Sequence, residues 1–224
     1  MALRILTWNL FHGRAAPEQR RSLLPDFTAR IAGWEWDVAL LQEVLPWWPP
    51  ALARASGASA RMALTSRNVL PPVQRLLAES RPDLFKSWAG GCNAILVRGR
   101  AVREHRIRLL RRLPERRVAH GVMLEEGIWV TNLHAHAHVE RRAQADVDLA
   151  AAATTEWAAG APAIVGGDLN LRGRPTAFAY RHLAGHGVDH VLAHGLEVVE
   201  AGHTLDRGTL SDHAPLVTVV APSR

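Results

Sequence analysis

Short apolar runs recur along the chain, cut by glycine, proline and polar clusters, and most are too short to be anything but buried strands. Residues 3–10 form the first, ending in Asn9-Leu10-Phe11-His12-Gly13. Leu23, Leu24, Phe27 and Ile31 then follow a helical period, and Pro25 predicts a helix that starts only there, with proline in its first turn. Residues 37–44 are a second apolar strand closed by Gln42-Glu43, and this strand, helix, strand order suggests an α/β protein. A short helix over 51–55, a strand over 60–64, a polar loop over 65–68 and a short helix over 73–78, able to form part of a lid, come next. Strands follow at 92–97, 102–110, 117–125 and 128–134, the last two joined as a hairpin by Glu126-Gly127. An Ala-rich helix over 143–159 is stopped by Gly160-Ala161-Pro162, and Ala163-Ile164-Val165 is a buried strand that Gly166 and Gly167 end. A short helix near 176–183 and strands at 188–192, 196–201 and 214–220 complete the pattern. With no repeat, low-complexity tail or long linker, residues 1–224 read as a single domain.

Composition narrows the picture only a little. The length is ample for a real core, and 48% hydrophobic with 21% charged residues is ordinary for a soluble globular protein. The net charge of +6 does not oppose a phosphate-bearing or polyanionic substrate. Lys86 is the only lysine, however, and such an arginine skew can reflect coding bias, so charge is a weak argument for nucleic acid. Cys92 is the only cysteine, which excludes an internal disulfide and a thiolate metal cage. No signal peptide precedes the first strand, and no apolar run approaches the ~20 residues that span a bilayer. The expected protein is cytoplasmic, a monomer, and not inserted in a membrane.

Chemistry-bearing side chains recur where the predicted strands stop: Asn9, Glu43, His134, Asp168 with Asn170, Asp189, and Asp212 with His213. Strand ends are where a rigid sheet presents side chains to a crevice. In Gly166-Gly167-Asp168-Leu169-Asn170 the acid and the amide stand two apart, so in an extended chain they point the same way. On this stretch alone a strand-to-helix turn with an Asx cap fits equally well. Clustered carboxylates demand a cation or a neutralised partner, and carboxylate and amide oxygens suit Mg2+ or Mn2+ better than zinc. The histidines can donate to a phosphoryl oxygen or pass protons.

Taken in order, Thr7-Trp8-Asn9, Leu41-Gln42-Glu43-Val44, Asn93-Ala94-Ile95-Leu96, Asn132-Leu133-His134, Gly167-Asp168-Leu169-Asn170, Val188-Asp189-His190-Val191 and Ser211-Asp212-His213-Ala214-Pro215 resemble the endonuclease/exonuclease/phosphatase superfamily. The resemblance covers nearly the whole chain. It implies an α/β sandwich of two mostly antiparallel sheets packed face to face and flanked by helices, four layers in all, with the site in the crevice at one end. It also implies a Mg2+- or Mn2+-dependent phosphodiester hydrolase. By the same resemblance Glu43 is the principal metal-binding residue, with Asn9 beside it and Asp212 near the metal. Asp168 activates the attacking water, Asn170 supports the scissile phosphate, His213 contacts the phosphoryl group and Asp189 orients His213. His134 matches a second histidine of the deoxyribonuclease branch.

Other positions keep two readings. Arg117 stands where several relatives have a phosphate-contacting arginine and is preferred over its neighbour Arg116; the rest of the arginines in 103–117 read as a solvated face. Asn93 either points into the crevice as a substrate-binding residue or caps a strand start. His134, His136 and His138 alternate and suggest a second metal site, although with a strand ending near Ala135 two of them should face solvent. His12 reads as a loop histidine rather than a substrate contact, and Trp47-Trp48 as packing rather than a stacking platform. For substrate, the apurinic-site repair enzymes carry a lysine soon after the Gln-Glu pair, where Val44-Leu45-Pro46 stands here. Inositol phosphatases and sphingomyelinases are longer. The leading expectation is a nuclease acting on DNA or RNA. The alternatives are a phosphatase or phosphodiesterase of a small or lipid-derived molecule, and a non-catalytic phosphate- or nucleic-acid-binding module.

Overall fold

The computed structural model describes residues 2–65 and 91–223. The chain runs through β1 (Leu3–Asn9), a 3-10 turn at Phe11–Gly13, α1 (Leu24–Gly33), β2 (Val38–Val44), α2 (Pro49–Ser56), β3 (Ala58–Leu64), β4 (Cys92–Arg98) and β5 (Val102–Arg111). It continues through β6 (Arg117–Leu124), β7 (Trp129–His134), α3 (Glu140–Ala158), β8 (Ala163–Asp168), β9 (Arg181–His186), β10 (Asp189–His194), β11 (Leu196–Thr204) and β12 (Leu216–Pro222). The strands form two six-stranded sheets, in the orders β11-β12-β1-β2-β4-β3 and β5-β6-β7-β8-β10-β9. Among the described residues only β1 with β2 and β7 with β8 pair in parallel, so both sheets are mostly antiparallel.

Three apolar clusters stack the layers. Ile5, Leu40 and Ile95 of the first sheet meet Val130, Ile164 and Val191 of the second between the sheets. On the outer face of the first sheet, Trp8, Leu41 and Leu96 pack against Phe27 and Ile31 of α1 and Leu52 of α2. On the outer face of the second, Leu133 and Val165 pack against Val147, Ala150 and Trp157 of α3. The layers are helix, sheet, sheet, helix. Because both faces of the central strands are covered, β1 and β2 are buried at nearly every position, which is why they read as continuous apolar runs rather than alternating ones. Trp48 lies in the α1–α2 core with its ring centroid 5.5 Å from that of Phe27, so it packs as expected. Among the described residues no helix is long and apolar enough to cross a membrane.

One polar clasp interrupts the apolar contact between the sheets. Asn132 of β7 donates through Nδ2 to the carbonyls of Leu41 and Ala94, both at 2.9 Å in the other sheet. Its Oδ1 accepts from Gln42 Nε2 at 2.7 Å, and both amides are fully buried. The hydrogen bonds fix the sheets in register directly beneath the crevice. Asn132→Leu removes the donor to two buried carbonyls, while Gln42 Nε2 keeps Thr7 Oγ1 and the Leu40 carbonyl, and each such loss costs about 1–3 kcal/mol. It is therefore expected to destabilise the fold by at least ~2 kcal/mol in urea unfolding, whereas a change below 1 kcal/mol would show that the clasp is dispensable.

Four local expectations are corrected. Gly166 and Gly167 do not end the strand but lie inside β8, which runs on to Asp168. Gly167 has φ +135°, and a Cβ there would stand 2.0 Å from the Leu133 carbonyl oxygen, so only glycine lets β7 and β8 approach this closely. The helix expected at 176–183 is absent: Ala177 bridges to Tyr180, and Arg181–His186 forms the edge strand β9. Pairing with β10 overrides the weak helical pattern of so short a segment. Asp168 and Asn170 do not continue an extended strand, because Asn170 is left-handed at φ +50°. Finally β7 does end at His134, yet only His138 of the three alternating histidines is exposed; His136 is buried, its N–H bonded to Asp146 of α3 at 3.0 Å. Most of the loop expected at 65–68 and the helix expected at 73–78 lie outside the described residues.

Candidate active site

The mixed pairing brings one set of strand termini together. Asn9, Glu43, His134 and Asp168 are at or near the C-terminal ends of β1, β2, β7 and β8, while Arg117, Asp189 and His213 are at or just before the N-terminal ends of β6, β10 and β12. Not every group sits where a strand stops, as the sequence suggested; an antiparallel neighbour brings its start to the same edge. The resulting cleft, of about 360 Å³, is lined by residues including His12, Arg14, Glu43, Arg117, His134, His138, Asp168, Asn170 and His213. Of eight non-glycine residues with positive φ among those described, Phe11, His12, Glu43, His138 and Asn170 line this cleft. Such backbone strain persists only where surrounding structure over-determines it, and here it is concentrated at this end of the sandwich.

Glu43 shows how the fold aims a side chain. In plain alternation it would follow Leu41 to the helix-covered face of the first sheet. The pairing of β2 with β4 shifts register between Leu41 and Val44, and Glu43 there adopts φ +49°. This irregularity turns the carboxylate into the cleft, a common use of a bulge beside a site. Its Oε2 is 3.0 Å from His12 Nε2 and its Oε1 is 3.8 Å from His134 Nε2. His12, expected as a bystander, is thus part of the site; its left-handed backbone at φ +52° brings the ring inward. The sequence offered only its nearness to Asn9, which does not give the direction of the ring.

Asp168 is held from both sheets. Asn9 Nδ2 donates to its Oδ2 at 2.9 Å, and the Asn170 N–H donates to its Oδ1 at 3.1 Å. Asn9 Oδ1 in turn accepts the Phe11 N–H at 2.9 Å, and Asn170 Nδ2 donates to the Ala135 carbonyl at 3.1 Å. His134 and His213 present Nε2 at 3.6 and 3.8 Å from Asp168 Oδ2. Burial first, and then the charge of Asp189, push the Asp168 carboxyl up to about 7, while His213, Asn9 and Asn170 restrain the rise.

His213 and Asp189 form a pair, Nδ1–H donating to Oδ2 at 2.8 Å. Burial would discharge the imidazole, but the hydrogen bond and charge of Asp189, helped by Asp168 and Asp212, prevail and raise His213 to about 9. The loop before β12 is bolted to β1. Ser211 Oγ donates to the Asn9 carbonyl at 2.6 Å and accepts the His213 N–H at 3.0 Å, while Trp8 Nε1 donates to the His213 carbonyl at 3.0 Å. His134 differs: burial chiefly, then Arg117, His12 and His213, hold it well below the ordinary histidine range, so it is neutral.

The remaining expected residues divide. Arg117 is buried, lines the cleft and donates to Glu115 at 2.6 Å, whereas Arg116 is exposed. Asp212 stands at the outer lip, its side chain 47% exposed and 3.9 Å from His213 Nε2. Asn93 is buried at the start of β4, and neither of its amide atoms has a partner among the described residues. It is outside the set lining the cleft. Arg14, also in the lining, was not singled out by any motif.

The donor chemistry suits a hard divalent cation. Glu43 and Asp168 line a cleft in which neither lining arginine pairs with Glu43 among the described residues, and burial, then the charge of nearby Asp189, raises the Asp168 carboxyl, so a cation there would relieve both. Asp168, Asp189 and His213 also offer one ligand atom each within 4.8 Å of one another. The 2.8 Å Asp189–His213 hydrogen bond commits two of those groups to each other, leaving the oxygens of Asp168 and Glu43 as the better cation donors.

A family model described as the endonuclease/exonuclease/phosphatase family matches residues 6–213. No curated protein matches the sequence. Among solved structures, an endonuclease/exonuclease/phosphatase from Beutenbergia cavernae matches with a TM-score of 0.74 at 19% identity, over 99% of this chain and 72% of that one. TDP2 from C. elegans matches at 0.70 and 17%, over 98% and 75%. A mannosyl-6-phosphatase from Bacteroides thetaiotaomicron matches at 0.70 and 15%, over 98% and 99%. At these identities the likeness is one of fold.

Proposed function

We infer the reaction from one premise, that the chain belongs to the endonuclease/exonuclease/phosphatase family, and propose that its cleft hydrolyses a phosphodiester with a bound Mg2+ or Mn2+, most readily in a nucleic acid. The observation that carries this reading is the Asp189–His213 pair, with its charged imidazole 3.8 Å from the buried carboxylate of Asp168. A charged donor and a carboxylate base side by side are what attack on an anionic ester needs.

Glu43 and Asp168 would hold the cation, with Asn9 beside them and Asp212 at the lip. When bound, the cation would neutralise charge developing on the phosphoryl oxygens. The rest is the work of this chain's side chains. Asp168, fixed through both oxygens, takes the proton of the attacking water and holds that water in line. His213 donates from Nε2 to a phosphoryl oxygen, while its Nδ1–H stays on Asp189. Neutral His134 orients the nucleophile or the ester without adding charge. Arg117, held by Glu115, binds the phosphate, and Asn170 keeps Asp168 turned into the cleft. A water-activating carboxylate beside an imidazolium has no use in a module that only binds phosphate.

The test is to incubate supercoiled plasmid with the protein in Mg2+ or Mn2+, and again with excess chelator. Nicking that stops with the chelator and returns on adding the metal is the expected result. A folded, metal-loaded protein that leaves plasmid, RNA and small diesters all intact would overturn the hydrolase reading. Turnover of a small phosphate ester alone would favour the phosphatase alternative, since a cleft of this volume also accommodates a small ligand.

A further inference from the structure

Arg14 has no role in the chemistry above, yet among the described residues it is one of two arginines lining the cleft. It directly follows the 3-10 turn after β1, and its own backbone carbonyl accepts the Ser211 N–H at 2.8 Å. The guanidinium carbon lies 3.7 Å from the centroid of the Phe11 ring, and Nε donates to the Phe11 carbonyl at 3.0 Å. Stacking and this one hydrogen bond fix the plane of the group. Its two terminal nitrogens have no acceptor, and no carboxylate lies within ion-pair distance, among the described residues. The residue is half-buried, and burial lowers its pKa even though the charges of Glu43 and Asp212 act the other way. A half-buried guanidinium whose plane is fixed and whose terminal nitrogens face the cleft unpaired is placed to receive an anion.

Arg117, by contrast, is bonded to Glu115 and belongs to the other wall. Arg14 follows a strand of the first sheet and feels Glu43 and Asp212; Arg117 opens a strand of the second sheet and acts on His134 and His136. A substrate with one phosphate satisfies a single fork. We infer that Arg14 is a specificity residue that binds a second phosphate, next to the scissile one, in an oligonucleotide strand. The inference rests on the phosphodiester reading of the same cleft and adds to it the requirement for a neighbouring charge.

Two measurements on Arg14→Met test it, with Arg14→Lys alongside. Binding of a short fluorescein-labelled single-stranded oligonucleotide is followed by anisotropy in chelator, over a range of salt, where no turnover is needed. Loss of one phosphate contact is expected to weaken binding about tenfold and to reduce the salt slope by about one. Arg14→Lys is expected to restore the slope but not all the affinity, because it keeps the charge and loses the stacked fork. Turnover is then compared on the oligonucleotide and on bis(p-nitrophenyl) phosphate, which has a single phosphate. The expected fall in kcat/KM for Arg14→Met is about tenfold greater on the oligonucleotide. Equal losses on both substrates, an unchanged salt slope, or a wild-type protein that does not bind the strand at low salt would each overturn the assignment. If the slope changes as expected but no substrate is cleaved, the hydrolase reading fails and the anion anchor stands.

Discussion

Asp168→Asn is expected to lower turnover about 10³-fold, the usual scale for removing a general base, while raising the melting temperature of the metal-free protein at pH 8. Both effects come from the same carboxyl group. It is buried, and burial followed by the charge of Asp189 pushes it up to about 7. A folded-state value above the ordinary one means that the associated stability is complete below the normal carboxylate range and is lost as pH rises through about 7. At pH 8 the native protein must therefore keep a buried anion that the substitution removes. The amide still accepts from Asn9 but meets the Asn170 N–H poorly, so the net gain is modest: a few degrees, at roughly 2–4 °C for each kcal/mol in a chain of this size. The check is steady-state kinetics together with calorimetry at pH 4 and pH 8. A variant that keeps near-normal turnover, or that melts lower at pH 8 than the wild type, would show that Asp168 is a structural acid.

The second large effect concerns the imidazole. Asp189→Asn is expected to cut kcat by about 10²-fold or more, the range for losing a charged donor to a developing oxyanion. It should also move the alkaline limb of the kcat/KM profile. Burial works against the charge on His213, and the hydrogen bond and charge of Asp189 overcome it, setting the group at about 9. Protonated His213 thus contributes stability that is fully present below the ordinary histidine value and is lost as pH rises through about 9. Activity that depends on this proton falls over the same interval. Without Asp189 the limb should retreat toward the ordinary range or below it, since burial then acts with less opposition. An alkaline limb unmoved in Asp189→Asn would mean that some other group sets it.

The parts of this architecture legible in the sequence were those in which local pattern and tertiary environment agree. The runs at β1, β2 and β8 are apolar on both faces because each lies between a partner sheet and a helix, so their burial shows in composition alone. The helix after Leu23 was announced by Pro25. Asn9, Glu43, His134, Asp168, Asp189 and His213 were found because their motifs recur in family order, and the sandwich brings them to one end. What escaped depended on single backbone torsions or on sheet pairing. Glu43 reaches the cleft only through the irregularity after Leu41, and His12 only through its left-handed turn. The edge strand β9 exists because β10 offers it a partner, which a short window around 176–183 cannot reveal. His136 goes under α3 because Asp146 captures its N–H from ten residues away. Arg14 stands out from the many other arginines only once Phe11 is seen beneath it.

The bolts from Ser211 and Trp8 to β1 and its flanks have a consequence for how the protein comes into being. They join positions more than 200 residues apart along the chain, and the pairing of Leu3 with Val220 closes the first sheet over the same span. Contacts of such separation form late and slowly, because the loop must close before they repay it. During synthesis Asn9 and Glu43 leave the ribosome early, but the imidazole that completes the cleft arrives only after residue 213 has been added. A nascent or truncated chain that stops before His213 therefore cannot form the Asp189–His213 pair. The cleft is completed all at once, as β12 docks.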